Sequence, residues 1–179
     1  VDFVTTVNKA GCDTFIIHAR KAWLKGLSPK ENRTVPPLNY DWVYQIKQDF
    51  PELTIGINGG INHLEDALSH LEKVDSAMLG RVVYHQPYLL CDVDAKIYQQ
   101  NTSTLSREQV LLNFIEYMKV QSDQGVPIRS MTRHILGLYH GQPNAKKFKQ
   151  LLSGKVVELK HLYEWLDFKN SEQERENDR

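Results

Sequence analysis

A chain of 179 residues, 41% hydrophobic and 25% charged with zero net charge, has the size and composition of one soluble globular domain with room for an appendage. No apolar run reaches the roughly 18 residues that cross a bilayer, and two cysteines, Cys12 and Cys91, are too few for a disulfide scaffold. For these residues an apolar helix crossing a membrane is excluded and a disulfide-stapled domain is not expected, and reduced thiols behind an opening Val1-Asp2-Phe3 without a basic signal region predict a cytoplasmic location.

Residues 3–11 read as the end of a helix that stops at Ala10-Gly11. Val1 opens inside this amphipathic segment, which predicts that the chain continues a longer polypeptide. Thr14 to Ile17 is a short buried strand. Residues 20–39 contain Gly26, Pro29, Pro36 and Pro37 and form a long irregular loop. Its cations Arg20, Lys21, Lys25, Lys30 and Arg33 favour a functional loop. Tyr40 to Phe50 is a helix with Val43, Ile46 and Phe50 on one stripe, ended by Pro51. Leu53 to Ile57 is a second strand. A helix follows from about His63 to Val74, with Leu64, Ala67, Leu68 and Leu71 as its apolar face, and Ser76 to Leu79 is a third strand. Short apolar strands alternating with amphipathic helices predict βαβ units and a parallel sheet.

The pattern changes near Thr102, where Asn101-Thr102-Ser103-Thr104 is linker-like. Ser106 and Gln109 have capping-box spacing, and the helix they open carries Val110, Phe114, Tyr117 and Met118. Gly125-Val126-Pro127 breaks it. A second helix sets Ile128, Met131, Ile135 and Leu138 at helical spacing and stops at Gly141. A third runs from about Ala145 to Leu152, and a fourth from about Val156 to Phe168. Residues 169–179 are polar and read as a frayed tail.

Charge is uneven. Residues 127–160 hold seven cations, Arg129, Arg133, Lys146, Lys147, Lys149, Lys155 and Lys160, against one acid, Glu158. Such a local excess predicts a surface facing a polyanion.

Three blocks put polar or glycine residues where an apolar run stops: His18 with Arg20, Asn58-Gly59-Gly60, and Gly80-Arg81. In α/β barrels, ligands sit at the C-terminal ends of strands. Glycines at such a turn let backbone N–H groups approach an anion, helped by the dipole of the helix that follows. A guanidinium beside them can grip phosphate bidentately. The phase of His18 puts it level with Asn58 and Gly80, and Arg20 faces the same side in an extended segment. His63 and His70 have no completing carboxylate or thiolate, so no metal site is expected. No Walker loop or serine-nucleophile elbow is present.

The run from His18 through Ala19-Arg20-Lys21-Ala22-Trp23 to Asn32-Arg33 closely resembles the A-type tRNA-dihydrouridine synthases, as do Pro36-Pro37-Leu38, Asn58-Gly59-Gly60-Ile61 and Gly80-Arg81. Arg133-His134-Ile135-Leu136-Gly137-Leu138 resembles their helical domain. The resemblance covers roughly residues 2–155. It implies an enzyme that uses FMN and NADPH to reduce a uridine C5–C6 bond in the tRNA D-loop. It implies that His18 and Arg20 are flavin-side residues and that Asn58, Gly59, Gly60, Gly80 and Arg81 cradle the FMN phosphate. Lys21, Arg33, Arg129, Arg133, Lys146 and Lys147 would meet tRNA, whose target base must be flipped out to reach the flavin.

In the family the proton donor is a Cys in an Asn-x-Gly-Cys-Pro context, and a flavin-contacting Lys lies on another strand. Neither motif is present here, so no catalytic residue is expected in this chain, and Cys12 reads as a structural thiol. The predicted fold class is α/β: the C-terminal part of a TIM (β/α)8 barrel over 1–101, a small all-helical bundle over 102–168, and the tail 169–179. Three strands are too few to close a barrel, so open edges predict self-association. Two other readings remain: a catalytically inert RNA-binding module, which would hold no flavin, and a different FMN oxidoreductase acting on a small metabolite, which would bind no RNA.

Overall fold

The computed structural model describes residues 2–101, 103–154 and 156–177. Val1, Thr102 at the anticipated boundary and Lys155 of the basic stretch lie outside them, as do Asp178 and Arg179. Two compact units divide between Val82 and Val83.

In the first unit, β1 (Thr14–His18), β2 (Thr54–Asn58) and β3 (Ser76–Met78) form a parallel sheet in that order. Ile17 lies beside Ile57 and Ile57 beside Ala77; His18 lies beside Asn58 and Asn58 beside Met78. Side chains alternate between faces along a strand, so these two rows face opposite ways. The first row belongs to the core. There Phe15, Ile55 and Ile57 cluster with Val4 of α1 (Asp2–Asn8), Val43 of α2 (Asp41–Asp49) and Ala67 of α3 (Leu64–Leu71). The other face is open, with Ile16 60% and Met78 47% exposed. The row His18–Asn58–Met78 therefore stands at the C-terminal strand ends on the face the helices leave bare.

Lys47 and Asp75 close the α2–β2 connection. The Lys47 ammonium donates to the Pro51 and Leu53 carbonyls, both at 2.9 Å, and pairs with Asp75 at 2.9 Å. The Asp75 carboxylate accepts the Ile55 N–H at 2.7 Å. That backbone bond first, and then Lys47, hold the Asp75 carboxyl below its usual range.

His70 is the buried polar residue of α3. Its Nδ1 bonds the Tyr44 hydroxyl at 2.6 Å. Burial, reinforced by Lys73 and opposed by Asp66, holds its pKa below the ordinary 6.5. The unfolded chain thus binds more protons than the folded one as pH falls below about 6.5. Stability of this unit is expected to drop as pH falls from about 7 to about 5.5 and to stay nearly flat above about 7. Protection of the Ile55 and Ile57 amides, corrected for intrinsic exchange, measures it. In His70→Gln the pH dependence should be shallower.

The second unit is helical. It contains the C-terminal part of α4 (Arg81–His85), a 3-10 turn at Pro87–Asp92, α5 (Val93–Lys96), α6 (Arg107–Asp123), α7 (Ile128–Thr132), α8 (Ala145–Leu152) and α9 (Leu159–Asn177). The Ser106–Gln109 capping box forms, with Ser106 Oγ accepting the Gln109 N–H at 3.2 Å and Gln109 Oε1 accepting the Ser106 N–H at 2.8 Å. The core gathers Leu111, Ile115 and Met118 of α6, Phe148 and Leu152 of α8, and Leu162 and Trp165 of α9.

Three features differ from the sequence reading. The units part at Val82, not at Thr102, because Tyr88 packs on the helical core, donates to the Leu105 carbonyl at 2.7 Å and lies under the Arg107 guanidinium, 3.8 Å away. The expected helix from Ile128 to Gly141 is α only to Thr132. Beyond it three-residue turns such as Ile135 N–H to Thr132 O at 3.1 Å and Leu138 N–H to Ile135 O at 2.9 Å keep Ile135 and Leu138 buried. The anticipated frayed tail continues α9 to Asn177. Its Glu172 accepts from Asn144 Nδ2 and from the Lys169 ammonium, each at 2.7 Å, which ties this stretch to the residue preceding α8.

Candidate functional site

The loop after β1 is ordered by its own side chains. Asn32 accepts the Trp23 N–H at 2.7 Å and donates to the Trp23 carbonyl at 3.0 Å. Glu31 accepts both the N–H and the hydroxyl of Ser28, at 2.8 and 2.6 Å. These bonds hold its carboxyl below the usual range. The base is closed by an antiparallel bridge between Arg20 and Leu38 and by the Asn39 N–H bonding the Ala19 carbonyl at 2.8 Å. Folded back in this way, the loop carries Arg33 to the C-terminal end of the sheet.

A cleft of about 210 Å³ opens there, lined by His18, Arg33, Asn58, Gly59, Gly60, Ile61, Asn62, Met78, Gly80, Arg81 and Val82. Gly59 and Gly60 form part of its lining at φ +116° and +72°, conformations that favour glycine. A Cβ at Gly59 would stand 3.1 Å from His18 Cε1 and 3.1 Å from Leu38 Cδ2, while a Cβ at Gly80 would meet nothing within 4 Å. Asn58 donates to Met78 Sδ at 3.4 Å, and Arg81 Nη2 donates to the Arg33 carbonyl at 3.5 Å. Burial, with the positive charges of Arg20, Arg81 and Arg33, holds the His18 pKa below its ordinary value. Both influences favour the neutral form of the His18 imidazole.

Of the residues assigned to a cofactor from sequence, His18, Asn58, Gly59, Gly60, Gly80 and Arg81 line this cleft. Arg20 does not: its Nη1 donates to the Pro36 carbonyl, and it reaches the cleft only through its charge on His18. Met78, not Gly80, is level with His18 and Asn58; β3 is short, and Gly80 follows two residues later. Nor is the start of α3 a bare dipole. The Asp66 carboxylate accepts the His63 and Asn62 N–H groups at 3.2 and 3.4 Å. Arg33, assigned to RNA from sequence, also lines this cleft, because the loop's internal bonds bring it back. Asn62 and Met78 were missed from sequence.

The other assigned cations belong to separate elements. Arg129 and Arg133 line one groove of the helical unit with Pro127, Leu136 and Leu152. Lys147 borders a second with His161, Trp165 and Phe168, its ammonium 5.4 Å from the Phe168 ring. Lys146 is exposed on α8 and Lys21 in the loop. Lys160 pairs with Glu158 at 2.6 Å. Cys12 and Cys91 are free. Among the described residues no three His, Cys, Asp or Glu side chains gather into a metal-holding group, and no helix is long and apolar enough to cross a membrane.

Parallel α/β proteins receive ligands outside the carboxyl ends of their strands, and this chain has there a glycine-lined cleft bordered by two guanidinium groups: it is an α/β protein with a candidate ligand site at its strand ends. The profile of the dihydrouridine synthase family (Dus) matches residues 1–172, and the chain belongs to that family. It is 49% identical over 152 residues to the tRNA-dihydrouridine(20/20a) synthase of Vibrio cholerae, covering 84% of this chain and 46% of that protein. The Synechocystis protein of the same name is 48% identical over 157 residues, covering 88% and 47%. The Xanthomonas axonopodis pv. citri protein is 50% identical over 151 residues, covering 84% and 45%. The chain spans about half the length of these relatives and matches their C-terminal part.

Proposed function

We propose that this chain supplies the FMN phosphate cradle and the RNA-docking helices of an NADPH- and FMN-dependent tRNA-dihydrouridine synthase, its sheet being part of a TIM barrel. The observation that carries the reading is the glycine-lined cleft under Arg33 and Arg81. A phosphate ester fits it: the positive-φ turn of Gly59 and Gly60 puts bare backbone in the lining, and the two guanidinium groups carry the opposite charge. When bound, FMN would supply the two electrons that saturate a uridine C5–C6 bond. Gly59, Gly60, Gly80, Arg33 and Arg81 would hold its phosphate, and His18, kept neutral, would donate a hydrogen bond to the ring. The relatives' names point to uridines 20 and 20a as targets. Arg129 and Arg133 would grip tRNA phosphates, with Lys21, Lys146 and Lys147 adding to the field. The open face bearing Ile16 and Met78 is where further barrel strands or a second copy would pack, in a protein of the cytoplasm.

The test uses the chain as it stands. Flavin fluorescence should report FMN binding at least tenfold tighter than riboflavin, and a tRNA transcript should bind with a steep salt dependence. Binding of tRNA with no flavin would replace this reading with the inert RNA-binding module. Binding of flavin with no tRNA would point to a different FMN oxidoreductase. Replacing Arg129 and Arg133 together by alanine should weaken tRNA binding and reduce the slope of log affinity against log salt by roughly 1 to 2.

A further inference from the structure

Gly59 and Gly60 are the most pliant part of the cleft, since glycine populates many backbone conformations. Their shared peptide is nevertheless held from behind. The Tyr40 hydroxyl donates to the Gly59 carbonyl at 2.9 Å. Leu38 packs beneath both glycines, as shown by the methyls that a Cβ at either would meet. The His70 ring lies edge-on to Tyr40 with centroids 4.5 Å apart. His70 is itself buried and bonded to the Tyr44 hydroxyl.

A peptide unit is planar and trans, so its C=O and the following N–H point opposite ways. Drawing the Gly59 carbonyl toward Tyr40 turns the Gly60 N–H away from Tyr40 and from the core against which Tyr40 packs. Without that bond, the peptide between two glycines can rotate at little cost. Burial pushes the Tyr40 phenol above its ordinary pKa, so it keeps its proton near neutral pH and remains a donor.

We infer that Tyr40 is a positioning residue of the cradle: its hydroxyl holds the Gly59–Gly60 peptide in the orientation that receives a phosphate ester, and His70 braces Tyr40 in place. Tyr40 is not among the residues that line the cleft. The inference rests on the flavin-phosphate reading given above.

Tyr40→Phe tests it, because the ring stays on His70 and only the donor is lost. FMN and riboflavin are titrated against the wild-type chain and the variant, and thermal unfolding of both is recorded. The expected result is a roughly three- to tenfold loss of FMN affinity, with riboflavin affinity and the melting midpoint unchanged. Equal loss of both ligands, with or without a lower midpoint, would make Tyr40 merely structural and overturn the inference. An unchanged FMN-to-riboflavin ratio in the variant, against a wild type that prefers FMN, would overturn the inference alone. A wild type that does not distinguish the two ligands would remove the phosphate reading and the inference together.

Discussion

Alanine at position 59 is expected to lower FMN affinity about 30-fold or more. Gly59 sits at φ +116°, outside the left-handed region that a non-glycine residue tolerates. Forcing a side chain into such a conformation costs of order 2 to 3 kcal/mol, and each 1.4 kcal/mol is tenfold in affinity. Sterics add to the strain. The new Cβ would press on His18 Cε1 and Leu38 Cδ2, both at 3.1 Å, tighter than ordinary contact. The chain has two ways to relieve this, and each damages the cleft. Rotating the turn breaks the bond between the Gly59 carbonyl and Tyr40. Displacing the imidazole moves His18 out of the row it shares with Asn58 and Met78. Flavin titration of Gly59→Ala measures the loss. FMN binding equal to wild type would mean that the glycine conformation plays no part in holding the phosphate.

Much of this cleft could be read in the sequence because it is written in local signals. His18 and Asn58 each end an apolar run, and a paired register then sets them side by side. The glycines mark a turn that needs positive φ, which is a property of the residue itself. Gly80 was put two residues too early because its strand is three residues long, too short for apolar periodicity to fix where pairing stops. The place of Arg33 in the cleft was not legible for a different reason. Its position depends on Asn32 bonding both polar groups of Trp23, a contact with no periodic signature. The boundary at Val82 and the helical tail are products of distant contacts: Tyr88 with Leu105 and Arg107, and Asn144 with Glu172. Composition registers polarity at 101–104 and 169–177 but is blind to such partners. The capping box at Ser106, being local, was legible.

Phe148→Ala is the substitution expected to damage the helical unit most, by about 3 to 5 kcal/mol. Phe148 is fully buried. Its ring stands 4.7 Å from Tyr139 and 5.1 Å from Trp165, and those two are 5.3 Å apart. Truncation opens a cavity at the centre of this triad, and rigid rings cannot collapse to fill it as aliphatic chains can. A loss of that size is a large part of the 5 to 15 kcal/mol that usually holds a domain together. The protein carries its own reporter. Of its three tryptophans, Trp23 and Trp42 are exposed, while Trp165 is buried, so the blue-shifted part of the emission belongs to the triad. In Phe148→Ala that component should shift red at denaturant concentrations the wild type withstands, and tRNA affinity should fall with it. Met131 of α7, between Arg129 and the capping Arg133, is anchored in the same core, so loosening that core frees the two guanidinium groups from a fixed spacing. The double arginine variant separates the two causes, since it should weaken tRNA binding with the tryptophan emission unchanged. If Phe148→Ala lost its blue emission yet bound tRNA as the wild type does, RNA docking would have to lie outside the helical unit.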